Sequence, residues 1–189
     1  MSVMEKIIEF FGVKLPAEVI ENETEITEFF DNSKVREILP ESDPQLYVDN
    51  AVILNSAEGR FILATVPVSE KMCQGHFNWF PMMPLALLGQ ATAQVGALLI
   101  SLVSNNGEKK KIPLVVRVKD IKSISDKRNK ERKDFIVPGD IMLVAVSYLG
   151  GKFGFHKTSA AIYVGEAKMG IMEEIDYILV DKEYFNNGR

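Results

Sequence analysis

The sequence predicts an α+β fold in which an antiparallel sheet packs against one long apolar helix. The first observation is an uncharged stretch, since no Asp, Glu, Lys or Arg occurs from Met72 to Gly107. Within it, Leu85 to Val103 is apolar on every side, which is typical of a buried or membrane-spanning helix. The second observation is a series of strand-like segments before and after this helix, rich in β-branched residues and separated by turns. One helix among several strands predicts a single α+β layer.

The N-terminal residues predict helical structure. Apolar and charged residues between positions 3 and 12 are spaced as in a short amphipathic helix that ends near Gly12. Ala17 to Ile20 is a candidate for a second helix. We assign residues 1–34 to a helical extension and residues 35–189 to the main domain. The extension is expected to cover that domain or a partner subunit, and a docking arm for another protein is the alternative.

The main domain is predicted to begin with a β-hairpin and to end with four strands. The hairpin joins Leu46–Leu54 to Arg60–Val68 through a turn between them. Pro84 suits the first position of the long helix, and Asn105-Asn106-Gly107 suits its end. The later strands are predicted at Ile112–Ile124, Ile141–Leu149, Lys152–Val164 and Glu166–Ile175, with turns at Val137–Asp140, Gly150-Gly151 and Gly165.

Composition excludes several classes of function. A chain of 189 residues can form one domain with a substantial core, and a net charge of −4 argues against a dedicated nucleic-acid binder. A single cysteine cannot form an internal disulfide, and the N-terminus does not resemble a signal peptide, so we expect a cytoplasmic protein. The glutamines of the apolar helix argue against a membrane span. No spacing of Cys and His predicts a metal site, and no Gly-rich phosphate loop predicts a cofactor.

Several motifs resemble one enzyme family. Gly75-His76-Phe77, then Pro81 and Pro84, then an Ala-x-Ala-Gln pattern on the helix are similar to the 3-hydroxyacyl-[acyl-carrier-protein] dehydratases of fatty acid synthesis. Val35–Asp49 resembles the opening helix and first strand of that family, and Val137–Asp140 resembles its VPGD turn, so the resemblance covers roughly residues 35–176. It implies the hotdog fold, in which a curved antiparallel sheet wraps a long central helix. It also implies a homodimer or a higher homo-oligomer.

The resemblance implies a catalytic role for His76. Dehydration of a 3-hydroxyacyl thioester needs a base for the C2 proton and an acid for the leaving hydroxyl. His76 occupies the family's histidine position. Gln90, fourteen positions later, occupies the position of the family's Glu or Asp, which faces the histidine across the dimer interface. Glutamine can orient a water or a hydroxyl, but it cannot release a proton. Gln94 matches a glutamine that supports the carboxyl, and a satisfied helix–helix hydrogen bond is the alternative.

Other residues are candidates for binding the substrate. Leu85 replaces a family glycine, and its N–H lies at the helix N-terminus, where it can polarise a thioester carbonyl. Trp79 replaces a second glycine, so both residues predict a different acyl shape or an occluded site. Gly89, with Ala93 and Ala97, forms a thin helix face that is expected to admit another backbone at a two-fold interface. An acyl tunnel is the functional interpretation, and ordinary core packing the alternative, for Phe77, Phe80, Met82, Met83 and Leu87.

The sequence therefore predicts a divergent dehydratase acting on a thioester of acyl carrier protein or coenzyme A. The alternatives are a hotdog thioesterase, in which Gln90 holds the attacking water, and a non-catalytic acyl-thioester-binding subunit. A basic cluster could steer an acidic carrier protein, although a solvated loop is the simpler explanation. It comprises Lys127, Arg128, Lys130, Arg132 and Lys133. The second histidine, His156, has no partner motif and is interpreted as structural.

Overall fold

The computed structural model describes residues 1–20, 23–77, 79–104, 111–124 and 135–183. The helices are α1 (Val3–Phe11), α2 (Asn32–Ile38), α3 (Glu70–Cys73) and α4 (Leu85–Ser104), with a 3₁₀ turn at Ala17–Val19. The strands are β1 (Glu25–Phe30), β2 (Ala51–Ser56), β3 (Gly59–Pro67), β4 (Lys111–Ser123), β5 (Ile141–Lys152), β6 (Phe155–Val164) and β7 (Ala167–Asp181).

The described strands form one antiparallel sheet that packs around α4. Their order is β1-β2-β3-β5-β6-β7-β4. The helix contacts every strand from β3 to β7. It is long and apolar enough to cross a bilayer, yet 72% of its most apolar window is buried inside this fold, as in the core helix of a soluble protein. The predicted α+β hotdog architecture is therefore confirmed.

A close contact between α4 and β7 explains one glycine of the helix. Tyr177 of β7 is fully buried, and its hydroxyl donates a hydrogen bond to the carbonyl of Ala93 at 3.0 Å. A methyl group on Gly96 would lie 2.9 Å from Cζ of Tyr177 and closer still to its hydroxyl oxygen. The tyrosine can therefore lie across the helix only because residue 96 has no side chain. Burial raises the pKa of this phenol, which stays protonated.

The thin face of α4 is covered by the chain's own sheet, which corrects our expectation that it admits a second backbone. Gly89, Ala93 and Ala97 are all buried within one chain. A methyl group on Gly89 would contact Ile121 of β4 at 3.4 Å and Met172 of β7 at 3.8 Å. The small residues therefore let strands of the same molecule approach the helix.

The N-terminal extension packs on the outer face of the sheet, away from α4. Helix α1 begins at a capping box formed by Ser2 and Glu5 and ends at Gly12 in the left-handed conformation (φ 66°). Its buried residues Ile7 and Phe11 form a second apolar cluster with side chains of β2, β3 and β5. The extension thus packs on the rest of the chain, which is one of the two positions that the sequence left open. It also contributes β1, which the sequence did not predict, to the same sheet; the division at residue 34 stays a prediction.

Several predicted boundaries were wrong. Strand β2 begins at Ala51 rather than Leu46, because the backbone at residues 45–47 hydrogen-bonds to the side chain of Gln94. Helix α4 begins at Leu85, one residue after Pro84. The β5–β6 turn lies at Phe153 and Gly154, whereas Gly150 and Gly151 lie inside β5 next to a bulge. The predicted helix end at 105–107 and the basic cluster at 127–133 lie outside the described residues.

Candidate active site

A short loop after α3 carries His76. Gly75 adopts a positive φ of 80°, a conformation that glycine tolerates and that turns the chain after Gln74. The N–H of His76 donates to the carbonyl of Cys73 at 3.4 Å, and its ring lies 4.4 Å from the ring of Phe77. The imidazole is half-buried. The loop therefore presents a histidine that remains accessible from outside the chain.

The segment before β5 holds the rest of this loop. The N–H of Met83 donates to the carbonyl of Ile136 at 2.8 Å, and the ring of Phe80 meets that of Phe135 edge-on at 5.5 Å. The predicted VPGD turn is present, since the Asp140 carboxylate accepts from its own turn at Val137 N–H, at 2.9 Å. The loop is thereby fixed directly before the N-terminus of α4.

Three glutamines form a second cluster on the open face of α4. Gln94 is 3% exposed, and both ends of its amide bind backbone: Oε1 accepts from the N–H of Tyr47 at 2.9 Å, and Nε2 donates to the carbonyl of Gln45 at 2.6 Å. One turn earlier, Nε2 of Gln90 donates to Oε1 of Gln45 at 3.1 Å. Gln94 thus joins the helix to an extended segment, not to a second helix as the alternative supposed.

His76 and Gln90 are not joined within one chain. No hydrogen bond or ring contact links them in the part of the chain that the structure describes. His76 is half-buried and Gln90 is exposed, so both side chains remain open to a further molecule. This placement is compatible with the expectation that the two positions meet across a dimer interface.

The five predicted substrate-binding residues divide into two groups. Phe77, Trp79 and Leu85 are 45%, 83% and 47% exposed. Gly89 and Gln94 are buried within the chain. The rings of Phe77 and Trp79 lie 5.9 Å apart, so the aromatic side chains of the His76 loop form a continuous exposed strip. Within a single chain these large side chains are directed outward.

A cleft of about 730 Å³ lies beside Gln45, and neither His76 nor Gln90 is among the described residues that line it. One wall is the segment that carries Gln45 and Tyr47, and the other includes Lys71, Met72 and Gln74, the last of which lies two residues before His76. Its volume is in the range of small-molecule sites. Neither Trp79 nor Leu85 is among the described residues that line it.

Burial shifts the pKa of three side chains: Cys73, Glu41 and His156. It raises the pKa of the Cys73 thiol, with a smaller contribution from the charge of Asp140, so this thiol is a poor nucleophile. It also raises the pKa of the Glu41 carboxyl, four residues before Gln45. At the far end of α4, burial lowers the pKa of His156, whose ring contacts Tyr148 at 3.0 Å and Ser104 at 3.5 Å. Those contacts join α4, β5 and β6, which is a structural role.

Sequence reasoning did not identify Gln45. It lies in a polar loop with no periodic pattern, and only the fold brings it to Gln90, 45 positions away. A weak signal was available, because Gln45, Gln90 and Gln94 are three of the four glutamines in the chain.

Comparisons with known proteins identify the family of this chain. No protein-family model matches the chain. The 3-hydroxyacyl-[acyl-carrier-protein] dehydratase FabZ of Geobacter metallireducens is 30% identical over 154 residues, which cover 82% of this chain and 96% of that protein. The FabZ of Desulforamulus reducens is 33% identical over 138 residues, 72% of this chain and 88% of that protein. A chain of the dehydratase heterocomplex ApeI:P from Xenorhabdus doucetiae has a TM-score of 0.60 at 11% identity, over 81% of this chain and 95% of that one, which shows a shared fold. The chain belongs to the 3-hydroxyacyl-[acyl-carrier-protein] dehydratase FabZ family.

Proposed function

We propose that this protein dehydrates a 3-hydroxyacyl thioester carried by acyl carrier protein or coenzyme A, in fatty acid or related acyl-chain synthesis. The observation that carries the proposal is the 30–33% identity to FabZ proteins over most of their length. An accessible histidine in the expected loop supports it.

His76 is the base in this proposal. Its imidazole takes the C2 proton, which the thioester carbonyl acidifies. The C3–O bond then breaks, and the imidazolium returns that proton to the leaving hydroxyl, so that water and an enoyl thioester are formed. Gln90 orients the hydroxyl but supplies no proton. Because a general acid usually contributes about 10² to 10⁴ in rate, we expect a slower reaction than one with a carboxyl at this position.

The N-terminus of α4 is proposed to polarise the thioester carbonyl. The first N–H groups of a helix have no acceptor within the helix, and Leu85 is its first residue. Their partial positive charge stabilises the negative charge that develops on the carbonyl oxygen. Such a role uses the backbone, so the leucine side chain affects the shape of the site and not this interaction.

The active form is proposed to be a homodimer paired through β4. No described strand pairs with the outer edge of β4. Leu114, Val115 and Val116 on this strand are 36%, 43% and 55% exposed, and an apolar edge of this kind favours pairing with another strand. Gly89 lies against Ile121 of β4, so the turn of α4 that carries Gln90 is close to this edge. We propose that pairing of two copies here places Gln90 of one copy beside His76 of the other.

The cytoplasm is the proposed location, and the thioester is the proposed partner molecule. The burial of α4 supports a protein that does not use this helix to span a membrane. The acyl carrier protein in the name of the relatives supports a carrier-bound substrate.

A thioesterase is the second candidate function, and Gln90 is the observation that favours it. An amide can hold the attacking water of a hydrolysis as well as it can orient a hydroxyl. The two activities differ in their products, because dehydration gives an enoyl thioester whereas hydrolysis releases a free thiol.

The test is product analysis with 3-hydroxyacyl thioesters of coenzyme A and of acyl carrier protein. We expect enoyl absorbance without thiol release, and His76→Ala should abolish it while the protein stays folded. Thiol release without enoyl formation would establish the thioesterase instead. Tight acyl binding with neither product would establish a non-catalytic subunit.

A further inference from the structure

The contacts of Gln45 point to a role in positioning Gln90. Its Oε1 accepts a hydrogen bond from Nε2 of Gln90 at 3.1 Å and a longer one from the hydroxyl of Tyr47 at 3.4 Å. A side-chain amide is planar, with its oxygen and nitrogen on opposite branches. When the nitrogen of Gln90 faces Gln45, its oxygen therefore faces the other way.

The core of the protein holds Gln45 in place. Gln94 is buried, and its amide binds the carbonyl of Gln45 at 2.6 Å and the N–H of Tyr47 at 2.9 Å. A buried amide with both ends satisfied is a rigid support, because breaking either bond would leave an unpaired polar group. An ordinary surface pair of side chains has no such support. The backbone of Gln45 is thus fixed from inside the fold, and its exposed side chain extends from this fixed point to Gln90.

We propose that Gln45 is a positioning residue that holds the Gln90 amide with its oxygen directed at the substrate. An oxygen can only accept hydrogen bonds, so it would bind the 3-hydroxyl through the hydrogen of that group. This inference rests on the proposed dehydratase function. Beyond that function, the inference assigns the orientation of Gln90 to a residue in the segment before β2, which is distant in sequence from both the His76 loop and α4.

Two substitutions separate positioning from a general structural role. Gln45→Glu keeps the side-chain length and an acceptor for Gln90, whereas Gln45→Met keeps the approximate size and removes the strong acceptor. We expect Gln45→Met to lower kcat about 10- to 100-fold with KM within about twofold, since misplacing a group near the reacting atoms by about 1 Å costs on this order. Gln45→Glu should stay within about threefold of the wild-type kcat. Glu9→Met on the exposed side of α1 is the matched surface control.

A second measurement tests the positioning without any substrate. ¹⁵N relaxation of the Gln90 side-chain amide reports its motion on the picosecond-to-nanosecond timescale. Its order parameter should be high in the wild type and in Gln45→Glu, and clearly lower in Gln45→Met. Equal order parameters in all three proteins, or a wild-type kcat in Gln45→Met, would overturn the inference.

Failure of this inference and failure of the proposed function are distinguishable. If the wild type forms no enoyl product but Gln45→Met lowers the order parameter of the Gln90 amide, the proposed function is wrong, whereas the positioning of Gln90 by Gln45 is supported. If the enoyl product forms and Gln45→Met changes neither rate nor motion, the function stands and the positioning role is wrong.

Discussion

Replacing Gly96 with alanine is expected to destabilise the protein by about 2–4 kcal/mol. The new methyl group would lie 2.9 Å from Cζ of Tyr177 and 3.3 Å from Oγ1 of Thr158, and both of these residues are fully buried. Tyr177 must then move away from the carbonyl of Ala93. Overpacking a core costs about 1–3 kcal/mol, and loss of a buried hydrogen bond costs a similar amount. The better helix propensity of alanine offsets about 1 kcal/mol of this cost.

Gly89→Ala is the matched control on the same helix. Its methyl group would make ordinary contacts, at 3.4 Å to Ile121 and 3.8 Å to Met172. We expect no loss and a gain of up to about 1 kcal/mol from helix propensity. Urea unfolding of both variants at one protein concentration measures the difference through the midpoint at constant slope. Equal midpoints for the two variants would refute the packing argument.

Three further predictions concern the extension, the second histidine and the sheet edge. Ile7→Ala should lower the free energy of unfolding, measured in urea, by about 2–5 kcal/mol, because this residue of α1 is fully buried against the sheet. Ile8→Ala should lower it clearly less, because Ile8 is only partly buried. Burial lowers the pKa of His156, so that as the pH falls the imidazole is protonated in the unfolded state before it is protonated in the folded state. The stabilisation from the neutral imidazole is therefore present above the unfolded pKa of about 6.5 and is lost as the pH falls towards the lower folded pKa. The unfolding midpoint of the wild type should therefore fall more steeply below pH ~6.5 than that of His156→Asn, and parallel slopes would contradict this assignment. Val116→Lys should shift the mass in light scattering from dimer to monomer, and an unchanged dimer would exclude β4 as the interface.

Local and periodic signals predicted most of the fold. Pro84 predicted the start of α4 to within one residue, and the absence of charged residues after it predicted a buried helix, because a charged residue is costly in the centre of a core. Alternating apolar residues and turn residues predicted the β2–β3 hairpin and the last three strands. The motif around His76 predicted its loop, since glycine at position 75 is needed for a positive φ.

Long-range contacts account for what the sequence did not predict. Neither Gly96 nor Tyr177 carries a local signal that they meet, 81 positions apart, and the thin face of α4 was therefore attributed to a partner. Gln45 sits in a loop whose backbone is held by a side chain of the helix rather than by a neighbouring strand. These tertiary hydrogen bonds override the strand propensity of Leu46 and Tyr47, whereas Asp49 and Asn50 already bond to the backbone of Thr65 on β3.

The most direct measurement is the rate of enoyl formation from a 3-hydroxyacyl thioester by three proteins side by side: wild type, His76→Ala and Gln90→Glu. The account predicts a measurable wild-type rate that His76→Ala abolishes. Gln90→Glu should raise the rate about tenfold or more, because a carboxyl buried at the proposed dimer interface would have a raised pKa and would protonate the leaving hydroxyl near neutral pH in place of the His76 imidazolium. A wild-type rate in His76→Ala, or a folded and dimeric Gln90→Glu protein with no gain, would contradict the account.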